Sequence, residues 1–352
     1  MRGSVKRENL PERVRVSLGS AVVLGLVEAK LDAFPTTVYL MTYRKGKCTA
    51  NCGFCPQARR STASADMLSR VSWPTYKTLE VQKALINAAG SLRIRRVCIQ
   101  ALNYPTVFSE VCALVQTISK SAKLPISVSC QPNTVRNMRQ LSIAGAQRIG
   151  IPLDAVTGEL FDKTKGLGVG APYKWKKQWQ LLGQAKKIFG EENVSTHLIV
   201  GLGETDEQML RVIQECVDLA VLPALFAFTP IRGTLLENKK QPQIERYRRI
   251  QTARHLIMSR IVRFEDMAFN GNGSIIDFGV EKDELRKIIR TGEPFLTSGC
   301  SDCNRPFYNE KPSGPIYNFP RKPTPTENCE AEEQLDLEQM SELAQKIDRH
   351  RT

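Results

Sequence analysis

The chain has 352 residues, a formal net charge of +14, and 41% hydrophobic and 24% charged residues. That length allows one large α/β domain or two smaller ones, and the composition excludes a low-complexity or collagen-like chain. No apolar run reaches membrane-spanning length, so no membrane partner is expected. The charge favours acidic partners, but the basic residues are scattered and no reading motif accompanies them, so nucleic acid is not expected among them.

The opening residues, MRGSVKRENLPERVRV, lack the continuous apolar stretch of a secretory signal. Ten cysteines without an export signal are expected to be reduced thiols in the cytoplasm, some of them metal ligands. Residues 12–32 read as a helix with Val14, Leu18, Val22, Leu26 and Leu31 along one face, ended by Pro35. TTVYLMTY (36–43) then reads as a strand. Further strands are expected at 95–100, 125–130, 146–151, 194–200, 224–229, 261–267 and 274–279. Helical stretches between them include 106–121, 133–144, 173–189, 205–219 and 242–260. Eight strand-then-helix units predict an α/β chain folded as a (β/α)8 TIM-type barrel, or a six-strand partial version if the last two strands are not barrel strands.

Beyond about residue 292 the periodicity ends in a Pro-, Gly- and Asn-rich stretch. Leu335, Met340, Leu343 and Ile347 then suggest an amphipathic helix in an acidic final segment. The expected organisation is an N-terminal helical segment (1–35), a barrel (36–291), a cysteine-containing extension (292–325) and an acidic terminal helix (326–352).

KCTANCGFCPQARR (47–60) follows the first strand and places Cys48, Cys52 and Cys55 at C-x3-C-x2-C spacing. Loops at the C-terminal ends of barrel strands form active sites. Three thiolates can hold three corners of a four-iron cluster and leave the fourth iron open to a ligand. A zinc loop completed elsewhere is the plainer alternative. Cys48, Cys52, Phe54 and Cys55 match the signature C-x3-C-x-aromatic-C, and on them the chain resembles the radical S-adenosylmethionine (SAM) enzymes. That resemblance implies a [4Fe-4S] cluster whose open iron chelates the methionine portion of SAM, with Phe54 near the adenine.

Over roughly residues 36–280 the likeness is to the biotin synthase branch, carried by CGFCPQAR, VCIQALNYP, HLIVGLGET and FTPIRGTLLE. Ile199, Gly201 and Glu204 fit the wider family's G-x-I-x-G-x-x-E pattern, with His197 in place of the first glycine. The resemblance assigns these three, with Asp154 on the ribose, to cofactor binding. Biotin synthase holds a second cluster with three cysteines and an arginine. Cys98 and Cys130 stand at two of those positions, while Ser195 and Ala268 fall at the others. Gly150 and Pro152 replace residues that would contact dethiobiotin.

Cys300 and Cys303 form a C-x2-C in the irregular extension and are candidates to join Cys98 and Cys130 around an auxiliary iron–sulfur cluster. A separate zinc or electron-entry role, or free thiols, are the alternatives. Cys112 and Cys216 lie on apolar helical stripes and read as core, Cys329 as a loose thiol, and His255 as a packing residue. Lys174, Lys176, Lys177, Lys186 and Lys187, with Trp175 and Trp179, are either a dock for an acidic partner or a solvated helix face.

With LSRVSWP and GCSDCNRPFYNE added, the chain resembles a subunit of the two-component lipoyl synthases. That resemblance implies sulfur insertion at C6 or C8 of an octanoyl chain on a lipoyl carrier protein. It also implies a second radical SAM subunit and a small reductant such as ferredoxin or flavodoxin. Another biotin synthase-like enzyme or maturase, or a basic zinc protein that binds nucleic acid, are the alternatives.

Overall fold

The parallel strands of this protein are largely buried on both faces: TVYLMT is apolar or β-branched throughout, while RVCIQ and ISVS alternate apolar residues with small or polar ones that are still buried or half-buried. The computed structural model describes residues 10–91 and 93–337. In chain order the first elements are β1 (Arg13–Val16), α1 (Leu18–Val23), β2 (Thr37–Thr42), β3 (Met67–Leu68), β4 (Val71–Ser72), β5 (Thr75–Lys77) and α2 (Thr78–Ala88). There follow β6 (Arg96–Gln100), α3 (Val107–Ala122), β7 (Ile126–Ser129), α4 (Val135–Ala144), β8 (Arg148–Gly150), α5 (Gly158–Thr164), α6 (Trp175–Phe189), β9 (Val194–Val200), α7 (Asp206–Asp218), β10 (Leu222–Ala227) and α8 (Ile244–Met258). The last are β11 (Ala268–Phe269), β12 (Ile275–Asp277), α9 (Lys282–Arg290) and α10 (Pro325–Leu335).

One eight-stranded sheet runs in the order β10-β9-β8-β7-β6-β2-β1-β5. Its strands from β2 to β10 pair in parallel, while β1 and β5 are antiparallel additions at the β2 edge. Helices join successive parallel strands, and Val38, Leu40, Val97, Ile99, Ile126 and Val128 point into the helix-side core, at most 1% exposed. Local chemistry sets the helix ends. Thr134 with Asn137 and Thr205 with Gln208 form capping boxes that start α4 and α7, and Gly145, at φ 111°, ends α4 in the left-handed region.

The six-strand partial arrangement is the one observed. Residues 261–267 form a 3-10 turn at Phe264–Asp266, and β12 pairs only with β11 in a separate hairpin. Asn270 accepts hydrogen bonds from the backbone of Asn272 and Ser274 (both 3.0 Å), which makes the apolar SIID a hairpin arm and not a barrel strand.

The expected helix over 12–32 also needs correction. Val14 and Val16 are buried by pairing on the open edge of β2, and only Leu18–Val23 is helical. RVRV alternates as a strand does, but so short a run also sits in the i, i+4 stripe of Val14, Leu18 and Val22, which reads as helix. Arg15 is itself buried, paired with Asp66, bonded to Trp73 O (3.0 Å) and stacked on Tyr43.

The sheet does not continue from β10 back to β2, and the chain around residues 297–310 occupies that side. Ser298 Oγ accepts from Leu225 N (2.7 Å) on β10, and Arg305 N donates to Tyr39 Oη (3.1 Å) on β2. Asn304 bonds to Thr36 N (3.0 Å) and Phe34 O (2.9 Å), while Asp302 pairs with Arg95; both contacts lie at the N-terminal ends of β2 and β6. Asn309 O accepts from Thr229 (3.1 Å), and Tyr308 O accepts from Ser69 (3.1 Å), beyond the strands' opposite ends. The extension thus spans the height of the sheet. In the terminal helix α10, Leu335 is buried; Met340, Leu343 and Ile347 lie outside the described residues.

Candidate active site

Strand register decides what faces inward. Tyr39, Cys98, Ser127 and Arg148 are direct partners across β2, β6, β7 and β8, and Met41, Gln100, Ser129, Gly150 and Ser195 form the next layer. His197 pairs with Ala224, and Ile199 with Phe226, between β9 and β10. All of these line one cavity of about 260 Å³. The cysteine loop lies beyond the C-terminal ends of the strands, and the C-x2-C segment crosses near their N-terminal ends.

The loop of Cys48, Cys52 and Cys55 is pinned by its backbone: Cys48 N to Gln57 O (2.9 Å), Thr49 N to Asn103 O (2.7 Å) and Gly53 N to Thr164 O (2.7 Å). Cys48 Sγ accepts from Asn103 N (3.1 Å). All three thiols and Phe54 line the cavity. Burial is the main force raising all three thiols, with Cys55 pushed up to about 12. Thiols so placed ionise readily only beside a strong positive charge, which a bound metal supplies. Their donor chemistry and common face fit a cluster with three thiolate corners.

Asp154 sits at φ 65°, with its backbone held between His197 O (2.7 Å) and Ile199 N (2.8 Å), and its Oδ2 pairs with Lys165 Nζ at 2.6 Å. Lys165, which no sequence motif marked, is 1% exposed; it also bonds to Pro152 O and lies over Phe161 and Tyr173. Ile199 lines the cavity, whereas Gly201 and Glu204 do not. The Glu204 carboxylate accepts from Gly201 N (2.8 Å), Leu202 N (2.9 Å) and Gly203 N (3.0 Å) and is held by Arg246 (3.0 Å). Gly201 is at φ 106°, and a Cβ there would meet Pro242 Cδ at 3.0 Å. These two residues shape the loop that presents Ile199 and do not face the cavity.

The second thiol group divides. Cys98, Cys300 and Cys303 feel one another's charge, and each has a polar neighbour: Gln100 Nε2 to Cys98 (3.1 Å), Ser127 Oγ to Cys300 (3.7 Å) and Tyr39 Oη to Cys303 (3.2 Å). Cys130 lines the same cavity, but burial and then Cys112 of α3, not Cys98, Cys300 or Cys303, are what raise its thiol. Among the described residues no three His, Cys, Asp or Glu side chains converge closely enough to hold a single ion.

Between the two thiol groups stand His197, Phe226 and Tyr308, with ring centroids 4.8 Å and 5.8 Å apart in sequence, and Arg305 lies 3.9 Å over Phe226. Burial, then Arg305 and Lys165, push His197 down to about 3, so its imidazole is neutral at physiological pH. Tyr39, Lys165 and Phe226 belong to no quoted motif, and strand alternation could have flagged only Tyr39 and Phe226; Arg305 and Tyr308 fall within GCSDCNRPFYNE, where sequence reasoning singled out the two cysteines alone. Cys112 and Cys216 are buried in the core, Cys329 is exposed, and His255 is half-buried. On α6 the lysines Lys174, Lys176 and Lys177 are exposed, while Trp175 packs on Phe161 (5.6 Å) and Trp179 (5.7 Å). Ala268, opposite Asp277 in the β11–β12 hairpin, is outside the cavity lining.

A model of the radical SAM superfamily matches residues 44–216. Biotin synthase of Sulfurihydrogenibium sp. (strain YO3AOP1) is 27% identical over 205 residues, 57% of each chain. The mitochondrial biotin synthase of Arabidopsis thaliana is 23% identical over 316 residues, 83% of this chain and 76% of that one. The chain thus spans little more than half the length of the bacterial relative. Among solved structures, the FeFe-hydrogenase maturase HydG from Carboxydothermus hydrogenoformans is similar, with a TM-score of 0.50 and 16% identity over 63% of this chain and 51% of that one. That likeness bears on the fold alone. Family membership implies a [4Fe-4S] cluster and SAM, and the three loop thiols have the donor set for them. Residues 44–216 are a radical SAM domain, and the chain fits the biotin synthase-like branch of that superfamily.

Proposed function

We propose that this protein is a radical SAM sulfurtransferase. It inserts sulfur at C6 or C8 of an octanoyl chain carried on a protein lysine, in lipoyl cofactor formation, together with a second radical SAM subunit. The observation that carries the reading is that two thiol groups, Cys48/Cys52/Cys55 and Cys98/Cys300/Cys303, open onto one cavity with aliphatic and aromatic residues between them. A sulfur-inserting enzyme needs that juxtaposition of a radical source, an apolar chain and a sulfur store.

In this reading Cys48, Cys52 and Cys55 hold the SAM-binding [4Fe-4S] cluster, and the second group holds an auxiliary iron–sulfur cluster. Bound cluster and SAM together supply one-electron cleavage of a carbon–sulfur bond and a carbon radical able to take hydrogen from an unactivated carbon. The chain's own residues do the rest. Asp154, fixed by Lys165, offers a carboxylate oxygen to a ribose hydroxyl, and Lys165 offers a cation to a carboxylate. Met41, Ile199, Phe226 and Phe228 form walls that exclude water and favour an aliphatic chain. His197, held neutral, adds no charge to that chamber.

The test incubates the reduced, reconstituted protein with an octanoyl-lysine peptide, with and without a candidate second radical subunit, and weighs the products. A mass gain from inserted sulfur supports the reading. Accumulation of deoxyadenosine with no sulfur gained under any pairing would leave a radical enzyme of this branch that donates no sulfur, such as a maturase.

A further inference from the structure

The second thiol group raises a problem of charge and of count, and one residue answers both. Strand alternation turns Ser127 and Ser129 of β7 inward, level with Cys98 and Gln100. Cys130 continues the ladder through its N–H to Gly150 O (3.0 Å), so its side chain falls on the opposite pleat, with Val128. It is 2% exposed and shares the helix-side core with Cys112, whereas Cys98 has Cys300 and Cys303 for neighbours.

Arg305, two residues after Cys303, is half-buried and lines the cavity. Its guanidinium bonds to Ser298 O and lies 3.9 Å over the Phe226 ring, and its charge acts on the Cys303 thiol. Its backbone N–H is held by Tyr39 Oη, which also touches Cys303 (3.2 Å). It sits at φ 28°, a conformation that a side-chain-bearing residue keeps only when its surroundings fix it. Among the described residues no carboxylate stands at ion-pair distance from it. A cation partly withdrawn from water is stabilised by an opposite charge; burial keeps the Glu310 carboxyl that Arg305 acts on neutral up to about 8, which leaves the cysteine sulfurs beside it to supply one.

We propose that the second site is a three-thiolate site of Cys98, Cys300 and Cys303 whose fourth side is closed by the Arg305 guanidinium, with Cys130 outside it. This rests on the reading of a second iron–sulfur site given above. Arg305 is a positioning residue: it opposes the negative charge of the bound group and holds Cys303, through Tyr39, against the floor of the cavity.

The full chain is reconstituted anaerobically with iron and sulfide, iron is counted, and the rate of iron loss to a chelator is followed for the wild type, Cys98→Ser, Cys130→Ser, Arg305→Met and Arg305→Lys. The wild type is expected to hold about eight irons and Cys98→Ser about four. Cys130→Ser keeps about eight, with an unchanged electron paramagnetic resonance spectrum. Arg305→Met releases one set of about four irons at least about tenfold faster and leaves the other set's rate unchanged, and Arg305→Lys restores retention. The unchanged set reports that the barrel is folded, and the two cysteine variants decide the ligand set even if Arg305→Met does not fold. Loss of a cluster in Cys130→Ser, or wild-type release rates in Arg305→Met, overturns the assignment while the second site stands. A wild type that holds only about four irons overturns the second site and this proposal together.

Discussion

The cysteine loop at one end of the strands and the C-x2-C segment at the other both present thiols to the same cavity, but they are built in opposite ways. In the loop, Cys48, Cys52 and Cys55 lie within eight residues of one short excursion after β2, held by its own turns and by bonds to Asn103 and Thr164. At the other end, Cys98 comes from a strand, while Cys300 and Cys303 come from an extension some 200 residues later that closes the gap left by two missing strands. A local site is more tolerant of distant change, because chain connectivity alone keeps its three thiols within one turn of each other, whatever else pins the loop. An assembled site depends on everything that holds the extension in place.

The largest effect that would test this contrast comes from the loop. Cys52→Ser removes one of three ligands that share a single turn, and no neighbouring thiol in the loop can replace it. Deoxyadenosine formation from SAM should fall by more than the roughly 100-fold that losing a residue that merely orients a ligand costs. Iron from the loop site should be lost while the rest of the protein's iron stays. Retained SAM cleavage in Cys52→Ser would mean that the local site is not the radical source.

The same difference explains what the sequence could reveal. The loop was legible because spacing alone encodes it, and the helices were legible because their apolar stripes and capping residues are local, as with Thr134–Asn137 and Thr205–Gln208. The strand at Arg13–Val16 was not legible: its four alternating residues also fit a helical stripe, and the strands it pairs with, β2 and β5, lie far along the chain. SIID carries an apolar run suited to a buried strand, and only the Asn270 turn makes it a hairpin. Cys130 and Cys98 looked equivalent because both sit in strand segments, and the pleat separates them. Lys165 lay in no motif, and Arg305 lay in GCSDCNRPFYNE without a role there, since the meaning of both depends on which charges the fold brings beside them.

A smaller and pH-dependent effect tests the extension's packing. Glu310 is 3% exposed, its Oε2 has no hydrogen-bond partner, and burial raises its carboxyl to about 8 against the pull of Arg305, Arg248 and Arg70. The unfolded chain would release that proton near pH 4.3, so between about 4.3 and about 8 the folded state binds more protons than the unfolded one. Stability from this group is therefore full below the lower value and is lost as pH rises through about 8, by on the order of a few kcal/mol. Glu310→Gln, which carries no such charge, should show a flatter dependence of the unfolding midpoint between pH 5 and 9. A wild-type slope of the opposite sign would place the charged carboxylate, not the neutral acid, in the folded extension.

The smallest effect separates what anchors the extension from what merely touches it. Asp302 pairs with Arg95 at the strands' N-terminal ends, but the two side chains are 42% and 58% exposed, so water screens the pair. Such pairs contribute about 0–1 kcal/mol. Arg95→Ala should therefore shift the unfolding midpoint by no more than a degree or two, since about 1 kcal/mol moves a chain of this size only about 2–4 °C, and it should leave iron content unchanged. The inward contacts are different in kind. Tyr39 Oη reaches Cys303 and Arg305 N, and Ser298 Oγ satisfies the buried Leu225 N–H on β10. Ser298→Ala leaves that backbone donor without its partner, a loss of about 1–3 kcal/mol. If the two variants instead destabilise equally, or Arg95→Ala alone sheds iron, then the extension is held from its solvent side, and the second thiol group owes its position to the surface ion pair and not to the strands that face it.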